Sequence, residues 1–267
     1  MSELGELLKD YKKEGTRDFP LYKLDDLKGG KIFAEASMGF LGHVDYYVSG
    51  NEITVKTSIK EPVLSALGMQ LAGWSFGKAM ISGPIRLIAR KPKFIFDKLR
   101  LENPGLPPIA CIEGPFESNI LVKDLKMNGI QNAIILSIGE NSKPQYINIP
   151  ARACEIALFR ILHLFDLNDF RIDKASSVCR SRLDFVGGTS SNLNDSLRYN
   201  SEVVLEGKFP KDKNLSPIVT KNTKYANKSF LKIVKDAGGI HKVDIEAFSV
   251  AGLSMVDADS CNITVIK

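Results

Sequence analysis

Apolar positions in residues 148–166 recur with the period of a helix. The apolar stripe consists of Cys154, Ala157, Leu158, Ile161, Leu162 and Phe165. These side chains are three or four residues apart and therefore share one helix face. Asn148 is a suitable N-cap, and Pro150 suits the first turn, where its missing N–H costs no hydrogen bond. The pattern predicts a core-facing helix from about residue 150 to residue 165.

The rest of the chain alternates between short apolar strands and helical periods. Helices are predicted over residues 2–11, 63–74, 92–101, 121–127 and 227–236. Strands are predicted over residues 31–37, 43–49, 52–57, 109–112, 133–137 and 202–205, with further strands up to residue 266. Residues 76–90 are predicted as two short strands with a turn at Ser82-Gly83-Pro84. The alternation predicts an α/β layered fold.

Length and composition narrow the class of protein. The chain has 267 residues, of which 44% are hydrophobic and 25% charged, and this profile suits one large or two small soluble domains. The four cysteines include no C-x-x-C pair, so reduced thiols are expected. None of the three histidines has a second ligand at a spacing typical of metal sites, and we predict no metal.

Charge and targeting signals argue against two classes of partner. The formal net charge is +5, but the lysines are dispersed and are not gathered with aromatic residues, so no nucleic-acid partner is predicted. The first residues lack the basic and apolar regions of a signal peptide. No stretch has the roughly 18 apolar residues that a bilayer span requires. A cytoplasmic protein without a membrane partner is therefore expected.

Arg152 and Glu155 share a helix stripe outside the apolar one. Two interpretations of this pair remain open. It can be an exposed ion pair at i, i+3, worth about 0.3 kcal/mol. Alternatively, Glu155 can be a general base whose carboxylate is kept ionised and oriented by the guanidinium beside it.

Several segments match the motifs of one enzyme family. Residues 152–155 have the form Arg-x-x-Glu, residues 67–74 the form Leu-Gly-x-Gln-x-Ala-Gly-Trp, and residues 82–86 the form Ser-Gly-Pro-x-Arg, followed by Lys91-Pro92. Residues 200–207 and 225–230 match more faintly. With these motifs the sequence resembles the methenyltetrahydromethanopterin cyclohydrolase family over most of residues 30–267.

The resemblance implies hydrolysis of 5,10-methenyltetrahydromethanopterin to the N5-formyl pterin. The bridging carbon of this cation is already electrophilic, so no metal or redox cofactor is implied. Glu155 would act as the general base and Arg152 would orient it. The residues implied to bind the pterin are Gln70, Trp74, Ser82, Gly83, Pro84 and Asn200.

The resemblance also implies the organisation of the molecule. It implies a cleft between two α/β subdomains, which we place at residues 1–135 and 136–267, and a homo-oligomer, a trimer in the family. Trp74 and Gly83 have competing structural interpretations. A buried Trp is often a core residue, and glycine commonly serves turns that need a positive φ.

The sequence departs from the family where substrate contacts are expected. Leu71 occupies a slot expected to be basic or polar, Arg180 and Arg182 lie in a stretch expected to be proline-rich, and Glu206 replaces a glycine. The chain is also shorter than the family pattern, chiefly at its N-terminus. Two alternatives therefore stay open. One is a divergent paralogue that acts on a pterin in cofactor biosynthesis or modification, and the other is a non-catalytic pterin-binding protein.

Overall fold

The computed structural model describes residues 2–183, 189–210 and 212–267. Its α-helices are α1 (Ser2–Leu8), α2 (Leu27–Ser37), α3 (Ile85–Ala89), α4 (Lys93–Leu99), α5 (Ser118–Met127), α6 (Gln145–Asn148), α7 (Ala153–Leu164), α8 (Thr189–Asn200) and α9 (Phe230–Ala237). A π-helix spans Val63–Gln70, and a 3₁₀ turn, Pro150–Arg152, leads into α7. Among the described residues, no helix has the length and apolar character needed to cross a bilayer.

The strands form two six-stranded sheets. The strands are β1 (Lys13–Gly15), β2 (Pro20–Lys23), β3 (Gly42–Ser49), β4 (Glu52–Ile59), β5 (Trp74–Phe76), β6 (Ala79–Ser82), β7 (Ile109–Glu113), β8 (Ile134–Ile138), β9 (Arg171–Arg182), β10 (Ser201–Lys208), β11 (Gly252–Asp257) and β12 (Ile263–Ile266). The first sheet has the order β1-β2-β8-β7-β6-β5, in which β2, β8 and β7 are parallel. The second has the order β12-β11-β10-β9-β4-β3 and is antiparallel except for the pair β10–β11. The predicted α/β fold is confirmed.

The two sheets draw on both halves of the chain. β3 and β4 come from the first half, yet they lie in the second sheet, where β3 pairs with β4 and β4 pairs with β9. Strand β8 spans the predicted boundary between residues 1–135 and 136–267. The division into these two subdomains stays a prediction.

The apolar stripe of α7 packs on the second sheet, against β9 and β10. Its buried members are Cys154, Ala157, Leu158, Ile161 and Leu162, and Phe165 is partly buried beside them. At about 1.5–3 kcal/mol for each large apolar side chain, this burial is a main reason that the segment forms a helix. The predicted helix over residues 150–165 is confirmed, with its first turn in 3₁₀ geometry.

The predicted strand over residues 31–37 is wrong, because these residues lie in α2. Asp26 caps the helix and accepts a hydrogen bond from the Gly29 N–H at 2.6 Å. Gly30 is needed for close packing, since a Cβ at this position would lie 2.5 Å from the carbonyl oxygen of Pro144, the residue that precedes α6. Glycine has a low helix propensity, but the close contact between α2 and α6 explains why it stands at position 30.

The predicted turn at Ser82-Gly83-Pro84 does not join two strands. The hairpin of β5 and β6 turns earlier, at Gly77, which has a φ of 59°. The segment Ser82-Gly83-Pro84 instead connects β6 to α3. Pro84 stands at the helix start, where its fixed φ is compatible with a helix.

Candidate active site

The start of α7 positions the Arg152 and Glu155 side chains. Glu155 lies in the first turn of the helix, where the positive end of the helix dipole favours a carboxylate. Its side chain is only 3% exposed, and that of Arg152 is 17% exposed. The pair is therefore not the exposed surface ion pair that the i, i+3 spacing alone allowed.

The Arg152 guanidinium lies between two carboxylates. Its Nε donates a hydrogen bond to Glu155 Oε2 at 2.8 Å, and its NH1 is 3.9 Å from Glu113 Oε2. Burial lowers the pKa of Arg152, but the charges of Glu155 and Glu113 more than offset this effect and raise it. Within the described part of the chain, no donor reaches Glu155 Oε1. One carboxylate oxygen thus holds the guanidinium and the other remains available as a proton acceptor.

Glu113 is a site residue that sequence reasoning missed. It ends β7, next to the parallel strand β8, and two side chains of α6 hold it. Gln145 Nε2 donates to Glu113 Oε1 at 2.6 Å, and Asn148 Nδ2 donates to Oε2 at 3.1 Å. The signal available in the sequence was an acidic residue directly after a buried apolar strand, because ligand sites in α/β folds gather at the carboxyl ends of parallel strands.

Arg86 supplies a second buried cation. Its Nε donates to the Lys91 carbonyl oxygen at 2.9 Å and its NH1 to the Leu67 carbonyl oxygen at 3.2 Å. Its NH2 has no hydrogen-bond partner among the described residues. Burial lowers the pKa of Arg86 to about 9, an effect that the charge of Glu155 opposes and the charge of Arg152 reinforces. The guanidinium therefore remains protonated at neutral pH.

Gln70 ends the π-helix, and the Ser82-Gly83-Pro84 segment, which connects β6 to α3, lies beside it. The π-helix packs against α7, and the Gly83 N–H donates to the carbonyl oxygen of Met69 at 2.9 Å. Gln70 is 1% exposed, and neither polar atom of its side chain has a partner in the described ranges. Buried amides are normally satisfied, so this one points to a ligand or a water molecule.

Ser82 and Gly83 also have structural roles. The Ser82 hydroxyl lies 3.4 Å from the carbonyl oxygen of Cys111. Gly83 has a φ of 98°, and a Cβ there would lie 2.7 Å from the carbonyl oxygen of Ile109. The close approach to β7 therefore requires glycine at this position.

Trp74 and Asn200 lie in different surroundings. Trp74 is 5% exposed and packs in the apolar cluster of the first sheet with Ile81 and Ile112. Asn200 is exposed at the end of α8 and lines a cavity of about 480 Å³. We call this the α8 cavity. Its other lining residues are Glu52, Tyr146, Arg180, Ser181, Arg182, Asn192, Leu193, Asp195, Ser196 and Tyr199.

The α8 cavity adjoins the turn that carries Arg152. The Pro150–Arg152 turn packs against α8 and β9, the two elements that form most of the cavity wall. A second cavity, of about 880 Å³, includes Glu206, whose carboxylate is 3.4 Å from Lys174 Nζ. Neither lining includes Arg152 or Glu155. Among the described residues, no cluster of His, Cys, Asp and Glu forms a candidate metal site.

Comparison with known proteins decides the family. A family model described as Cyclohydrolase (MCH) matches residues 23–266. The chain belongs to this family. The resemblance found in the sequence motifs is thereby confirmed.

Three curated relatives of this cyclohydrolase family member share the name methenyltetrahydromethanopterin cyclohydrolase, and the chain is similar to each. It is 27% identical over 242 residues to a methenyltetrahydromethanopterin cyclohydrolase of Methanoregula boonei, with 83% of this chain and 75% of the relative covered. It is 25% identical to that of Methanospirillum hungatei, with 85% and 76% covered. It is 32% identical to that of Methanocaldococcus jannaschii, with 53% and 49% covered. The matched segment thus spans about half of the last relative's length and about three quarters of the other two.

Proposed function

We propose that this chain hydrolyses 5,10-methenyltetrahydromethanopterin to the N5-formyl pterin. Family membership and the names of the relatives support this reaction. The observation that carries the proposal is the buried pair at the start of α7. Arg152 holds one oxygen of Glu155 at 2.8 Å, and no group of the described residues donates to the other. A carboxylate fixed in this way is ready to take a proton from water.

In the proposed reaction, Glu155 is the general base. A water oxygen forms a bond to the bridging carbon while Glu155 Oε1 takes one water proton, which gives a neutral hydroxyl adduct. The bond from this carbon to N10 then breaks, N10 receives a proton, and the hydroxyl loses its proton as it becomes a carbonyl. In sum, the cation and one water give the formyl product and one proton. Arg152 keeps the carboxylate oriented throughout.

The polar groups around Glu155 suggest how the substrate binds. Arg152 and Glu113 are 17% and 18% exposed, so we propose that the pterin approaches from their side. Gln70, whose buried amide has no hydrogen-bond partner in the part of the chain that the structure describes, would meet polar atoms of the ligand. The α8 cavity next to the Arg152 turn has the volume of a small-molecule site and would hold a further part of the ligand.

The proposed reaction uses no cofactor, because the substrate supplies its own electrophilic carbon. Nothing in the step requires electron transfer or a Lewis acid. The homo-oligomer, and the trimer implied by the resemblance, stays a prediction. Sedimentation equilibrium of the purified protein would test it.

A second candidate is a divergent pterin enzyme or a pterin-binding protein. It is favoured by the positions of two departures from the family pattern, Arg180 and Arg182, which both line the α8 cavity. The other departures lie elsewhere. Leu71 is buried in the main core, and Glu206 lines the second cavity. Substitutions in the wall of a binding cavity change which pterin is bound, whereas they leave the general base itself in place.

A direct assay separates these candidates. The purified protein is mixed with 5,10-methenyltetrahydromethanopterin, and the near-ultraviolet absorbance of the methenyl cation is followed together with proton release. Loss of absorbance with formation of the N5-formyl product supports the hydrolysis. Binding without loss of absorbance selects the second candidate. Absence of binding overturns both.

A further inference from the structure

Glu113 lies beside Arg152, but the proposed general-base step gives it no role. It lies on a different element from the Arg152–Glu155 pair, at the end of β7 in the first sheet. Its side chain is 18% exposed, and each of its oxygens accepts one amide hydrogen bond from α6. A partly buried carboxylate with two fixed donors is held in one orientation.

The hydrogen bonds at Glu113 belong to a longer chain of contacts. Gln145 Oε1 accepts a hydrogen bond from the Ser190 hydroxyl at 2.8 Å, and Gln145 Nε2 donates to Glu113 at 2.6 Å. Glu113 in turn faces the Arg152 guanidinium at 3.9 Å. The first turn of α8 is thus connected through α6 and β7 to the base.

The geometry points to Glu113 as a positioning residue of the proposed reaction, which fixes the plane of the Arg152 guanidinium so that Glu155 Oε1 stays free. A guanidinium is a planar fork that prefers two parallel hydrogen bonds to one carboxylate. Here its Nε bonds to Glu155 while NH1 is drawn towards Glu113. This division leaves Glu155 one oxygen for the proton of water.

Removal of the Glu113 charge should let Arg152 turn onto Glu155. Both oxygens of Glu155 would then be engaged, and the base would be weaker although the substrate site keeps its shape. The inference rests on the proposed function. We therefore expect kcat to fall by about 10- to 100-fold in Glu113→Gln, the range typical of groups that orient a functional side chain, with KM nearly unchanged.

The experiment compares Glu113→Gln and Glu113→Asp with Glu117→Gln. Glu117 is an exposed carboxylate just beyond the same strand and serves as the matched control. Aspartate keeps the charge and should restore most of the lost kcat. The second readout is the exchange with water of the Arg152 Nε proton, measured by NMR and assigned with Arg152→Lys. This exchange should slow several-fold in Glu113→Gln, because the Nε–H is then held in a two-bond pair with Glu155, and stay unchanged in Glu117→Gln.

The outcomes separate the two proposals. A lower kcat with a steady KM, largely restored by aspartate and accompanied by slower exchange, supports the positioning role. Equal kcat and equal exchange in Glu113→Gln and Glu117→Gln overturn it. If the wild-type protein does not hydrolyse the pterin, the proposed function fails. The exchange comparison then decides the positioning role alone. If the glutamine variant folds poorly, Glu113→Asp tests the role, because its shorter side chain reaches Arg152 less well. A partial fall in kcat with partly slower exchange supports the role, and a fall in kcat without slower exchange overturns it.

Discussion

Replacement of Arg152 by methionine should destabilise the protein strongly, because it leaves two carboxylates without their shared cation. Glu155 is 3% exposed and Glu113 is 18% exposed, so water screens neither charge well. Removal of one partner from a buried ion pair typically costs about 3–5 kcal/mol. Since the charge of Arg86 still acts on Glu155, and two amides still hold Glu113, we expect a loss of about 3 kcal/mol in the free energy of unfolding.

Urea denaturation, followed by circular dichroism, would measure this loss. Arg180→Met is the matched control, because Arg180 is exposed on β9, and a change of at most about 0.5 kcal/mol is expected there. The double variant Arg152→Met/Glu155→Gln removes both charges of the pair and should recover about 2 kcal/mol relative to the sum of the single variants. A loss below about 1 kcal/mol in Arg152→Met, or strict additivity in the double variant, would refute the buried-pair reasoning.

Three further predictions test packing and burial. At about pH 8 only the exposed Cys261 should react with a thiol reagent in the native protein, because burial raises the pKa of the other three cysteines. Reaction of a second thiol would contradict this expectation. Gly30→Ala should lower the free energy of unfolding, measured by urea denaturation, by about 1–3 kcal/mol, since its Cβ would lie 2.5 Å from the Pro144 carbonyl oxygen. The control Gly5→Ala, with open space around it, should be neutral or slightly stabilising. Trp74→Phe should reduce stability but leave KM within about twofold, and a large rise in KM would instead place Trp74 in the substrate site.

The sequence predicted best the elements whose apolar pattern matches their burial. The helix with the Cys154 to Phe165 stripe was found because its buried face is made of large apolar side chains at helical spacing. Arg152 and Glu155 were located on this helix by the same spacing. Their burial was not predictable, because the elements that pack around the Pro150–Arg152 turn and α7, among them α6, α8 and the π-helix, are distant in the chain or carry no local signal of this contact.

Strand β9 and helix α8 escaped prediction because their buried positions are weakly apolar. The inward side chains of β9 include Ala175, Ser177, Cys179 and Ser181, which carry little of the usual strand signal. Helix α8 is mostly polar. Its buried apolar side chains are one i, i+4 pair, Leu193 and Leu197, and the neighbouring Ser196 and Arg198 are buried but polar. The wall that these two elements form around the α8 cavity was therefore not visible in the sequence.

Glu113 shows why a site is harder to predict than a fold. It lies 39 positions before Arg152 in the chain, and only the order of the strands brings the two together. No local spacing connects them. The sequence indicated that a strand ends there, but which helix start it faces is decided by tertiary packing.

The kcat of Glu155→Gln on the methenyl pterin tests the assignment of Glu155 as the base, with folding and ligand binding verified by circular dichroism and titration. Glutamine keeps the size of the side chain and a hydrogen-bonding group near Arg152, but it does not accept a proton from water. We expect a fall in kcat of about 10²- to 10⁴-fold with binding retained. A Glu155→Gln protein that binds the pterin and hydrolyses it at the wild-type rate would contradict the assignment of this carboxylate as the base.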